Sequence, residues 1–219
     1  MSARTGRQVT LGVPRPAAGR LASDGMDEVT ADGRVQRRER SKTAVVDAIL
    51  DLLAEGNARP TAQQVSERSG VSMRTIFRLF DDMTSLHQAA IERQAERVMA
   101  LLVPLVDIGP VADRIDALVT SRARVFEAIT PVRRAAVRLA ATSPNIAEGL
   151  GLAAVAFRRQ VAATLQPELE GTGPAVLETV DLVTSWEAWE RLRTTQGLTV
   201  AEATQVVTGM LFALVAAGA

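Results

Sequence analysis

From residue 36 onward the apolar side chains recur at spacings of three and four, and no stretch alternates with period two for long, so the chain reads as helical throughout. A first helix is expected over residues 37–55, with Val45, Ile49, Leu52 and Leu53 on one face and Gly56 as its stop. "TAQQ" at 61–64 is a capping box that starts a second helix over 62–69, ended by Gly70. Ser72 then caps a third helix over 73–80, and Asp82 a fourth that runs to the break at Pro104. Further helices are expected at 111–129, 131–142, 146–166, 174–196 and 200–217. Pro131 follows Thr130 at a first helical position, "TVAE" at 199–202 is a second capping box, and Gly197 and Gly218 mark C-termini.

Three helices, the second and third about two turns long and joined by a short turn with Gly, form a helix-turn-helix. In the third, Ile76, Leu79 and Phe80 share one side and are expected to pack on the first two helices. The other side presents Met73, Arg74, Thr75, Phe77 and Arg78. An exposed two-turn helix with that set suits a major groove: arginine for guanine edges or phosphates, hydroxyl for phosphate, an aromatic ring for a thymine methyl. Thr61 and Ser72 at the helix starts, and Lys42 on the first helix, complete the candidate DNA-binding residues.

The stretch "TAQQVSERSGVSMRTIFRLFDDMTSL" resembles the N-terminal signature of TetR-type transcriptional regulators over residues 40 to about 90. Phe77 stands where that family usually has tyrosine and Met83 where it often has lysine, so the resemblance implies weaker backbone contact at both places. Each missing phosphate charge lowers the salt slope by about one, and the basic run Arg34, Arg37, Arg38, Arg40 and Lys42 can compensate. The expected fold is therefore all-α, with a three-helix DNA-binding domain at 36–82 after an Arg-rich disordered arm at 1–35. A larger helical effector-binding and dimerisation domain follows at 83–219. By resemblance, a small-molecule effector of unknown identity lies among the fourth, fifth, seventh and eighth of these expected helices and shifts the fourth. Candidate wall residues are Met99, Phe126, Phe157, Trp186 and Trp189, with Arg122 to orient a polar group.

The last two helices carry more apolar surface than one partner covers: Val176, Val180 and Val183 on one side, Leu182, Trp186 and Trp189 on another. Gly209, Ala213 and Ala217 form a small-residue stripe on the final helix. A symmetric homodimer through those two helices follows, and the resemblance implies the same. Two reading helices about 34 Å apart then match a palindromic operator in double-stranded DNA.

Charge and composition sharpen this reading. The net charge is zero, but residues 1–80 carry 13 basic and 9 acidic side chains while 81–219 carry 12 and 16, so the basic side lies with the candidate reading head. Cysteine is absent and His87 is the sole histidine, leaving no thiolate nucleophile, no disulfide and little for a metal, as a cytoplasmic protein allows. No catalytic constellation surrounds His87, and no enzyme, cofactor or metal site is expected. "GLGLAA" at 149–154 matches a dinucleotide-binding pattern, but a helix start precedes it where a strand is needed. The most apolar stretch, 206–219, is read as a buried helix rather than a membrane span. The expected function is a ligand-responsive repressor; the alternative is a non-enzymatic helical scaffold that binds protein, which has no reason to bind duplex DNA with steep salt dependence.

Overall fold

The computed structural model describes residues 24–99 and 109–218. Among them the structure is all-α, with helices α1 (Asp24–Ala54), α2 (Ala62–Ser69), α3 (Met73–Leu79), α4 (Met83–Met99) and α5 (Val111–Ala140). There follow α6 (Pro144–Thr164), α7 (Gln166–Leu169), α8 (Pro174–Val183), α9 (Trp186–Glu190) and α10 (Val200–Gly218), a π-helical turn at Arg191–Thr195 separating the last two. Two compact units are distinguished, Met1–Arg40 and Ser41–Ala219. In the first, Arg34, Arg37, Arg38 and Arg40 are exposed on α1. Residues 1–23 of the expected disordered arm lie outside the described residues, whereas 24–35 are helical, because no proline between residues 24 and 54 stops α1.

Within the second unit, the expected face of α1 is buried: Val45 and Ile49 are fully covered, and Leu52 and Leu53 nearly so. They form a cluster with Val65 of α2, Ile76 of α3 and Phe80, to which α4 adds Leu86 and Ala90 and α5 adds Val132 and Ala135. A second cluster joins Val98 of α4 to Ile115, Leu118, Val125 and Phe126 of α5, with Val161, Val180, Trp186, Trp189, Val207 and Leu211 from the elements that follow. Helices α4 and α5 thus belong to both cores.

Two helix boundaries differ from expectation. Pro131 sits inside α5 and does not divide it. Proline removes one N–H, the donor for Glu127 O, and crowds the preceding turn, while the carbonyls on either side gain side-chain donors. The Thr130 hydroxyl donates to Phe126 O at 2.6 Å, and Gln94 Nε2 of α4 donates to Ala128 O at 3.0 Å. Conversely, the helix expected over 174–196 is broken at Thr184 and Ser185. The Thr184 hydroxyl turns back to Val180 O at 2.8 Å, and Ser185 becomes an N-cap, its Oγ accepting from Ala188 N at 3.2 Å. The break separates Leu182, 65% exposed, from Trp186 and Trp189, which are buried, so the three do not line one face.

The final helix also differs from expectation. Its 18-residue window Val200–Ala217 has a mean hydropathy of 1.6, enough by length and composition to cross a membrane. One face is seated in the second core through Ala203, Val207 and Leu211, while Val206 and Phe212 remain exposed, so α10 is half-buried rather than buried. Its capping box is present: Thr199 N donates to Glu202 Oε2 at 2.7 Å and Glu202 N to Thr199 Oγ1 at 3.2 Å.

The two faces of α3 are expected to respond differently to truncation. Ile76→Ala removes a fully buried side chain and should cost about 2–5 kcal/mol in urea denaturation, whereas Phe77→Ala, 49% exposed, should stay within about 0.5 kcal/mol. Glu127 provides a second test. Its carboxylate accepts from Arg193 Nε and from Trp189 Nε1, both at 2.9 Å, and the Arg193 bond foremost holds it below its ordinary value of 4.5. Stability from a depressed carboxylate is present above the ordinary value and is lost as pH falls through the folded one. Between about pH 7 and about pH 3 the wild type should therefore lose more unfolding free energy than Glu127→Gln; equal losses would count against the pairing.

Candidate nucleic-acid interface and ligand cavity

The helix-turn-helix of α2 and α3 is organised by local hydrogen bonds that its sequence encodes. Thr61 Oγ1 accepts from Gln64 N at 3.2 Å while Gln64 Oε1 accepts from Thr61 N at 2.9 Å, fixing the start of α2. Gly70 ends α2 with φ +69°, a left-handed conformation that glycine adopts without a Cβ penalty, and its N–H returns to Ser66 O at 3.0 Å. The Ser66 hydroxyl donates to Val71 O at 2.8 Å, which ties the turn to α2. Ser72 then caps α3 by accepting from Thr75 N at 3.3 Å. Arg68 braces the head from outside through a two-pronged pair with Glu55, at 2.9 and 2.7 Å, and the Arg68 bond lowers the Glu55 pKa.

On this frame α3 turns Ile76 inward and leaves Met73, Arg74, Phe77 and Arg78 exposed, with Thr75 half-buried. Met73 and Phe77 are 48% and 49% exposed, large apolar surfaces held beside two cations. Among the described residues neither Arg74, Arg78 nor Lys42 makes an ion pair, so all three guanidinium and ammonium groups can meet an outside anion. Lys42 is exposed on α1. The two capping hydroxyls have a different place. Thr61 Oγ donates to Gln64 Oε1 and Ser72 Oγ to Thr75 Oγ1, at 3.2 and 3.0 Å, so their protons are committed within the head. Thr75, accepting from Ser72, keeps its own proton for an external acceptor.

The six residues proposed from sequence to meet a ligand divide sharply. Arg122 is buried; its Nε donates to Gln160 Oε1 at 3.1 Å, Nη1 to Thr184 O at 3.3 Å and Nη2 to Phe157 O at 2.6 Å. Its guanidinium lies 4.3 Å from the Phe157 ring centroid and 5.8 Å from that of Phe126. Burial pushes its pKa down to about 10, with Asp181 opposing, so the group stays charged at neutral pH and joins α5, α6 and the break after α8. Phe126, Trp186 and Trp189 are core residues: Trp186 Nε1 donates to Thr130 Oγ1 at 3.0 Å and Trp189 Nε1 to Glu127 at 2.9 Å. Beside Arg122, Phe126 and Trp189 is a void of only about 10 Å³, at the limit of what one water needs. The Met99 side chain lies outside the described residues.

Among the other five, Phe157 alone faces a larger cavity, of about 420 Å³, between α4, α5 and α6. Its apolar wall includes Ile91, Val98, Ile129, Val132, Leu150 and Phe157; its polar members are Gln88, Glu92, Gln94, Arg133 and Gln160. On α4 the lining follows a helical stripe, Gln88, Ile91, Glu92, Ala95 and Val98, in which glutamine and glutamate interrupt the inward face. On α5, Arg133 occupies the same position among Ile129, Val132 and Ala136. Polar residues on an otherwise apolar stripe were the signal available in the sequence. Arg133 is only 9% exposed; it pairs with Glu187 at 3.1 Å and stacks 5.0 Å from the Trp186 ring centroid. Its Nε has no partner among the described residues, and neither has Gln88 Oε1, whose amide nitrogen donates to Glu92 at 3.0 Å. His87 faces back along α4, with Nδ1 2.6 Å from Met83 O. The "GLGLAA" run lies inside α6, so it has no strand before it.

No protein-family model matches this chain, and no curated protein matches it. Its fold is similar to the crystal structure of a transcriptional regulator from Rhodococcus sp. Rha1, with a TM-score of 0.57 and 20% identity, covering 79% of this chain and 94% of that one.

Proposed function

We propose that this protein is a DNA-binding transcriptional regulator of the TetR type, a non-enzymatic cytoplasmic repressor that grips a palindromic operator as a dimer and releases it when a small molecule occupies the α4–α5–α6 cavity. The observation that carries the reading is the outer face of α3, where Arg74, Arg78, Met73 and Phe77 stand exposed on a helix held by its caps and by a buried Ile76. A surface that only needs solubility has no use for two large apolar side chains between two unpaired arginines. Arginine reads guanine edges bidentately and the ring suits a thymine methyl, while an exposed Lys42 and the Thr75 hydroxyl suit phosphate. The fold shared with a transcriptional regulator supports this use.

Exposed Leu182 on α8 and Val206 and Phe212 on α10, next to Gly209 and Ala213, support a twofold dimer, which buries such apolar surface against its own copy. Release follows from the packing. An occupant between α4, α5 and α6 pushes on two helices that are also part of the core of the head, through Leu86, Ala90, Val132 and Ala135. Two polar links run the same way: Arg97 to Asp47 and Arg138 Nη2 to Ala58 O, each at 2.6 Å. Moving such a switch from 1:99 to 99:1 takes about 5.5 kcal/mol of differential affinity.

Selection from random duplex DNA should recover an inverted repeat with half-site centres about one helical turn apart. Arg74→Ala should cost about 1–3 kcal/mol and relax preference at one position, whereas Lys42→Ala should weaken all sequences alike and reduce the salt slope by about one. Recovery of no repeat would remove the reading and leave a helical scaffold. In sedimentation, Phe212→Glu should convert a micromolar dimer to monomer and abolish repeat binding; a wild type already monomeric there would overturn the dimer.

A further inference from the structure

We propose that the cavity between α4, α5 and α6 takes a small, largely apolar carboxylate whose acid group is held by Arg133. This rests on reading the cavity as the effector site. The volume, about 420 Å³, falls in the range of small-molecule pockets. Side chains such as Ile91, Val98, Leu150 and Phe157 give it an apolar wall. Arg133 is the exception: a cation more than nine-tenths buried, lining that space, with its Nε left without an acceptor. A buried guanidinium donor without a partner is costly, and a carboxylate satisfies it with charge as well as geometry. The partner it already has, Glu187, is 62% exposed and takes one bond to Nη2, while Nε has no acceptor.

The other polar groups set the rest of the preference. Glu92 also lines the cavity and is the one feature favouring a cation, but it is exposed and one of its oxygens already accepts from Gln88. Water screens an exposed charge more than a buried one, so Arg133 dominates. Donation to Glu92 fixes which way the Gln88 amide points and leaves Oε1 buried and unmet, an acceptor for a hydroxyl or N–H on the same ligand.

The test uses the full chain without DNA and three matched probes: 4-phenylbutyrate, 4-phenylbutanol and 4-phenylbutylamine, titrated by calorimetry. The acid should bind the wild type at least about tenfold more tightly than the alcohol, with the amine weakest. Arg133→Met should erase the advantage of the acid while leaving the alcohol unchanged. Ala153→Phe, which fills the cavity from α6, should weaken acid and alcohol alike. The wild-type comparison needs no variant, so it stands even if Arg133→Met does not fold. Equal binding of acid and alcohol, tightest binding of the amine, or a preference that survives Arg133→Met overturns the proposal. An inverted repeat recovered from DNA together with no preference for the acid sinks this inference and spares the regulator reading; acid-selective binding with no DNA recognition does the reverse.

Discussion

The packing of α4 against α5 is the contact on which the rest of the second unit depends. Each helix is apolar at one end toward the reading head and at the other toward the larger core: Leu86 and Ala90, then Val98, on α4; Val132 and Ala135, then Ile115 to Phe126, on α5. Neither core is complete without both helices. Because packed interiors transmit strain instead of absorbing it, anything that alters the separation of α4 and α5 is felt at Ile76 and Phe80 under the exposed face of α3. The cavity lies beside that pair, where the structure has space to yield.

Buried arginines define what surrounds it. Arg122 and Arg133 lie on the same helix and both are less than a tenth exposed, yet they do different work. Each nitrogen of Arg122 donates to a carbonyl or amide oxygen, from α6 and from the break after α8, so it fixes three elements in place. A second buried arginine, Arg114, is used likewise, donating to Thr164 O at 3.1 Å and to Gly109 O at 2.7 Å, and pairing with Glu168. Arg133 lines the cavity and has one donor, Nε, without an acceptor. The contrast separates a buried charge that serves the fold from one that can serve a ligand.

Caps and turns were legible in the sequence because they depend on neighbours within a few residues. Thr61 with Gln64, Gly70, Ser72, Asp82 with Ser85, and Thr199 with Glu202 all act as their spacing foretells. So was the inward face of α3, since a helical period decides which residues share a side. Less legible were features for which two local signals compete. Pro131 reads as a helix start, but Gln94 from another helix supplies a donor in the same region, and Ser185 reads as an ordinary residue until Thr184 turns back and frees it to cap.

Local chemistry therefore determined, from the residue order alone, an all-helical chain with a capped two-turn helix whose Arg74, Phe77 and Arg78 face away from its core. Only the tertiary structure decided which buried aromatic and cationic side chains line open space. Phe126, Phe157, Trp186 and Trp189 are alike in sequence, each apolar at helical spacing, yet Phe157 alone meets the cavity. The physical reason is that periodicity fixes the direction of a side chain about its own helix axis, while the distance to the neighbouring helix depends on every residue packed between them.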